Sequence, residues 1–108
     1  MIPEDSLVNI NKKFANGIIA NKESLESALS QSEKGWMDQV AYLVKALLLD
    51  NIFEDGNKRT AAAIIAASYT EFEIGFDPKR IAEMMVEISS KKIDDINKIK
   101  EMIKSVIR

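Results

Sequence analysis

The segment KRTAAAIIAASYTEFE, residues 58–73, constrains this chain more than any other. Alanine and isoleucine occupy most of its helical circumference, and a helix apolar on most sides has to be surrounded by other elements rather than laid on a surface. We read it as a buried central helix from Lys58 to about Glu73, with Gly75 as its stop.

The rest of the chain supplies what such a helix needs. From Glu4 to Ala15 the apolar residues Leu7, Ile10 and Phe14 recur at helical spacing, and Asn16-Gly17 closes the stretch. Asn21 is placed to cap a second helix through Ser30, with Leu25, Ala28 and Leu29 facing inward. The polar run SQSEKGWMD reads as a loop, after which Asp38 starts a third helix bearing Val40, Leu43, Val44, Leu47 and Leu48. Asp77-Pro78 is an N-cap followed by proline at the first helical position, opening a helix to about Ser90. A last helix from about Asp94 carries Ile96, Ile99, Met102, Ile103, Val106 and Ile107. No segment alternates as a strand would. The expected fold is therefore all-α: a compact helical bundle of about six helices, with residues 1–108 as a single domain.

Composition narrows the chemistry. A net charge of −2 provides no basic face for nucleic acid, and the Lys pairs at 12–13 and 91–92 read as solvated helix surface. No apolar run approaches the length of a membrane span, and the amino terminus has no signal-peptide pattern, so the expected location is cytoplasmic, with no membrane partner. There is no cysteine, which excludes disulfides and thiolate chemistry. There is no histidine, which removes the commonest general base and metal ligand.

Between the third helix and the central one stands DNIFEDGNKRTA, residues 50–61. Gly56 can take a positive φ just ahead of a helix and leaves room for a ligand against the backbone. Asn57, Lys58 and Arg59 then offer backbone N–H groups at a helix N-terminus, an arrangement suited to phosphate. Arg59 adds a fork for phosphate oxygens. Asp55 is a carboxylate of the kind magnesium takes alongside phosphate oxygens. The plain alternative is a cap: Gly-Asn is common punctuation before a helix, and Asp55 complements the helix dipole. Phe53 reads as a core anchor for the loop.

The whole run resembles the signature loop of the Fic/Doc family (Fido domain), His-x-Phe-x-(Asp/Glu)-Gly-Asn-x-Arg. Phe53, Asp55, Gly56, Asn57 and Arg59 stand in register, and Asn57-Lys58-Arg59-Thr60-Ala61 looks like the Doc (death-on-curing) branch. The upstream ESLESAL, residues 23–29, is similar to the short helix these proteins carry before a variable loop. The resemblance spans roughly residues 10–104. It implies a transferase moving phosphate, or AMP, from a nucleoside triphosphate such as ATP to a hydroxyl of a target protein, as the toxin of a toxin–antitoxin pair. Asp55 would hold Mg²⁺; Gly56, Asn57 and Lys58 would form the anion hole; Arg59 would grip a nucleotide phosphate. The AMP-transferring branch has a second arginine three residues after the first. Ala62 stands there, which favours phosphate transfer.

One position departs from the pattern. The family's proton-accepting histidine falls on Asn51, whose amide can orient a hydroxyl but does not titrate in the working pH range. Loss of a general base costs on the order of 10²–10⁴ in rate. Asp50 and Glu54 are neighbouring carboxylates, each on a different Cα. Two accounts of Asn51 stand: a chain that keeps nucleotide or partner binding without efficient transfer, or an active chain with its histidine replaced. No Ser/Thr-x-x-x-Glu inhibitory segment is visible, so regulation by a separate antitoxin protein is expected. Trp36 reads either as part of a docking flap or as tucked against the core.

Overall fold

The structure, a computed structural model, describes residues 2–108. Six α-helices lie among them: α1 (Glu4–Asn11), α2 (Lys22–Leu29), α3 (Trp36–Leu49), α4 (Asn57–Glu71), α5 (Pro78–Lys91) and α6 (Ile96–Ser105). The described residues form no sheet; only two isolated antiparallel bridges occur, Ile19 with Phe53 and Phe76 with Ile107. The radius of gyration, 12.4 Å, is that of one domain of this length.

Capping follows the sequence closely. The Asn21 side chain accepts from Ser24 N–H, Asp77 from Lys79 N–H, and Asp95 from the N–H groups of Asn97 and Lys98. Elsewhere the boundaries move. The helix expected to reach Ala15 ends at Asn11 and unwinds through turns, leaving Phe14 39% exposed instead of in the core. The expected loop before the third helix is mostly a 3₁₀ turn, Ser30–Lys34. Gly35, at φ 109°, then lets α3 begin at Trp36 rather than Asp38. The central helix stops through Glu73, at φ 57°, and not through Gly75.

Two helices make the middle of the molecule. α3 buries Val40, Ala41, Leu43, Val44, Ala46, Leu47 and Leu48, and packs on α2, α4, α5 and α6. α4 buries Thr60, Ala61, Ile64, Ile65, Ser68 and Tyr69 between α1, α3 and α5. The enclosure of α4 is incomplete: Ala62, Ala63 and Ala66 are half-buried along a shallow apolar groove shared with Phe14, Phe76, Pro78 and Ile81. Trp36 is tucked in. Its ring meets Tyr69 edge-on at 5.9 Å and lies 4.8 Å from Phe72. No helix among the described residues is long and apolar enough to cross a membrane.

Candidate functional site

The α3–α4 connection is built from both ends. After the C-cap Asp50, the chain turns at Asn51 with φ 52°, the left-handed position that ends many helices and that asparagine tolerates better than most residues. Ile52 and Phe53 then plunge fully into the core. Their backbone is pinned from the α1–α2 connection: Ala20 N–H and Asn21 N–H donate to the Ile52 carbonyl at 2.7 and 3.0 Å, and Glu54 N–H donates to the Ile18 carbonyl at 3.0 Å. The Asn21 amide also donates to the Asp50 carbonyl at 3.2 Å.

The second half of the loop is shaped by glycine and two asparagines. Gly56 is the N-cap of α4 with φ 76°. A Cβ there would lie 3.0 Å from Ala15 Cβ and 3.1 Å from Asn11 Nδ2, so conformation and space both demand glycine. Asn57 spends its side chain inside the loop: its Oδ1 accepts from Phe53 N–H at 3.0 Å and its Nδ2 donates to the Phe53 carbonyl at 2.9 Å. Asn57 thus contributes its backbone, not its amide, to any ligand. The Gly56 N–H donates to Asp55 Oδ1 at 2.8 Å. The N–H groups of Asn57, Lys58 and Arg59 meet no protein acceptor among the described residues, as expected for a first helical turn.

These residues share one cavity. Asn51, Glu54, Asp55, Gly56, Asn57, Lys58 and Arg59, with Phe14 opposite, line a space of about 490 Å³. Of the two carboxylates flanking Asn51, Glu54 borders this space; Asp50 lines neighbouring hollows instead. Lys58 and Arg59 are exposed, and neither makes an ion pair among the described residues. Arg59 and Phe14 also border the apolar groove along α4, so the polar cavity and the groove adjoin.

For a metal, the donors are sparse: no cluster of three or more Asp, Glu, His or Cys side chains exists among the described residues. A cation here would rest on Asp55, which keeps one carboxylate oxygen free of protein partners, and would draw its other ligands from phosphate oxygens and water. That donor set fits magnesium bound together with a phosphate ligand.

One residue that holds the site escaped the sequence reading. Asn11, fully buried at the end of α1, donates from Nδ2 to the Asp55 carbonyl at 2.9 Å and to Thr60 Oγ1 at 3.0 Å. Its Oδ1 accepts from Gly17 N–H at 2.9 Å. The only trace of this in the sequence is an amide one helical turn after Leu7, on the apolar face of α1.

What the fold and cavity define is a small all-α protein with a polar pocket at the N-terminus of its inner helix. Comparison with protein-family models, with curated proteins and with solved structures found no match to this chain.

Proposed function

We propose that the chain is a Doc-like protein that binds the phosphates of a nucleoside triphosphate at the N-terminus of α4 and transfers phosphate to a hydroxyl of a target protein. Transfer is slowed here by Asn51. The observation that carries the reading is the convergence of Asn51, Asp55, Gly56, Asn57, Lys58 and Arg59 on one cavity, with three unpaired N–H groups and two unpaired cations facing no protein acceptor among the described residues. Phosphate complements that set: the N–H groups and helix dipole favour an anion, and Arg59 provides a bidentate fork. Asp55 would hold magnesium, which would supply charge neutralisation to the phosphate when bound. Asn51 lies at the cavity edge, where its amide can align an attacking hydroxyl without accepting the proton. The resemblance to the Fic/Doc loop supports the same assignment, and Ala62 favours phosphate over AMP as the transferred group.

A second reading is favoured by Asn51 itself and by the absence of any histidine: a binding module that retains the phosphate site and engages a protein partner, an antitoxin or a target, without turnover. A thermal-shift titration with ATP and magnesium tests the shared part. Ligand at a hundred times its dissociation constant stabilises by about 2.7 kcal/mol, and Arg59→Ala should abolish the shift. No response from the unsubstituted chain sinks both readings. Transfer of labelled γ-phosphate to protein in a lysate then separates them.

A further inference from the structure

The wall behind the cavity is the unwound end of α1. Asn11 there is 0% exposed and makes three hydrogen bonds to three different segments: the motif loop at the Asp55 carbonyl, α4 at Thr60 Oγ1, and the turn at Gly17 N–H. A buried amide so fully used fixes the relative placement of everything it touches, because losing any one bond strands a polar group away from water.

One of these bonds differs from the others in what it aims. The Asp55 carbonyl and the Gly56 N–H belong to one planar trans peptide unit, in which C=O and N–H point in opposite directions. Tying the carbonyl back to Asn11 turns the Gly56 N–H away from α1 and toward the cavity side. There the Asp55 carboxylate now accepts it at 2.8 Å. The end of α1 packs close behind this peptide: Ala15 Cβ and Asn11 Nδ2 stand 3.0 and 3.1 Å from where a Cβ on Gly56 would be. The N–H groups of Asn57, Lys58 and Arg59 follow directly in the chain.

We propose that Asn11 is a positioning residue for the phosphate site: it sets the plane of the 55–56 peptide and thereby the direction of the N–H groups that meet an anion at the start of α4. Resting on the phosphate-binding reading above, this assigns Asn11 a role separate from its contribution to stability. Thr60 provides the internal comparison, because it also bonds Asn11 but does not belong to the peptide being aimed.

The test uses the whole chain, ¹⁵N-labelled, with inorganic phosphate and Mg·ATP as separate titrants followed at the amides of residues 56–59. Thr60→Val removes one of the Asn11 bonds; it should lower the melting temperature yet leave both dissociation constants within about 2-fold. Asn11→Ala should weaken both ligands by ~10-fold or more and move the Gly56 amide resonance before any ligand is added. Should alanine prevent folding, Asn11→Ser carries the same comparison, since its shorter hydroxyl cannot hold both the Asp55 carbonyl and the Gly17 N–H. A folded Asn11 variant that binds phosphate and Mg·ATP as tightly as Thr60→Val overturns the proposal and leaves the phosphate site standing. An unsubstituted chain whose 56–59 amides ignore both titrants overturns the phosphate-site reading, and this inference with it.

Discussion

Asn57 and Phe53 exchange two hydrogen bonds, the Asn57 side chain standing in for a backbone partner on both the N–H and the carbonyl of Phe53. The exchange closes the loop over a phenylalanine that is completely buried, and it fixes where α4 begins. A residue that reads as part of an anion hole is therefore first a structural clasp.

Asn57→Ala should accordingly be costly whether or not any ligand is present. It strands the Phe53 N–H and carbonyl in a half-buried setting, at about 1–3 kcal/mol. Asn57→Asp keeps the acceptor for Phe53 N–H but loses the donor, so it should fall between the two. Urea unfolding of the three proteins without ligand measures this. A loss for Asn57→Ala below about 0.5 kcal/mol would show that the clasp contributes nothing.

Gly56 and Gly75 make a contrasting pair. Gly56→Ala forces a side chain into φ 76° and against Ala15 and Asn11, and should destabilise by about 1–3 kcal/mol. Gly75 is exposed, carries no positive φ, and has Arg108 Cβ at 3.8 Å as its nearest neighbour, an ordinary contact. Gly75→Ala should stay within about 0.5 kcal/mol. Equal effects at the two positions would contradict the geometry described for the α4 N-cap.

Much of this architecture is legible in the sequence because it rests on local rules. Asn21, Asp77-Pro78 and the apolar spacings announce their helices, and Gly56 announces the entry to α4. The illegible parts depend on distant partners. At the end of α1 the Asn11 side chain is claimed by residues 44 and 49 positions away, and no periodicity records such a bond. The stop at Glu73 instead of Gly75 is of the same kind. Ile74 N–H reaches back to the Tyr69 carbonyl, which a non-glycine residue in the left-handed region makes possible. Within the motif, spacing placed Asp55 to Arg59 around one cavity, but it could not show that the Asn57 amide faces inward to Phe53.

Tyr69 ties the stability of the fold to alkaline pH. Its ring is fully buried beside Trp36 and Phe76, and its hydroxyl donates to the Ile103 carbonyl near the end of α6. Burial raises its pKa above the ordinary value of 10.0, since the charged phenolate is disfavoured there. With the folded value raised, stability is fully present below pH 10.0 and is lost as pH climbs from there through the folded-state value. Tyr69→Phe should lose about 1–2 kcal/mol at neutral pH for the missing bond, and should show a shallower decline above pH 10.0. Melting temperatures across that range decide it; parallel curves for the two proteins would remove Tyr69 from the explanation.

Arg59→Ala separates binding from folding. The side chain is exposed and makes no ion pair among the described residues, so its removal should change stability by less than about 0.5 kcal/mol. If the phosphate reading holds, the same change should lower affinity for Mg·ATP by roughly 10-fold or more, the cost of a charge-assisted pair. Calorimetric titration gives the affinity, and undiminished binding would mean that the nucleotide site lies elsewhere.

Asn51→His bears on the chemistry alone. Residue 51 sits at φ 52°, a backbone state that histidine, like asparagine, adopts more readily than most side chains, so the loop should accept the change without strain. The new imidazole would stand at the edge of the cavity formed by Glu54, Asp55, Gly56 and Arg59, with an unperturbed pKa near ~6.5 suited to accepting a proton at neutral pH. Transfer to a protein hydroxyl should rise by roughly 10²-fold or more. Nucleotide affinity should hardly change, because the base acts on the attacking group and not on the bound phosphates. Labelled-phosphate transfer in a lysate, with growth of the expressing host, compares the two proteins. If Asn51→His binds nucleotide but neither labels a protein nor slows growth, phosphate transfer is not what this pocket does, and the binding-module reading takes its place.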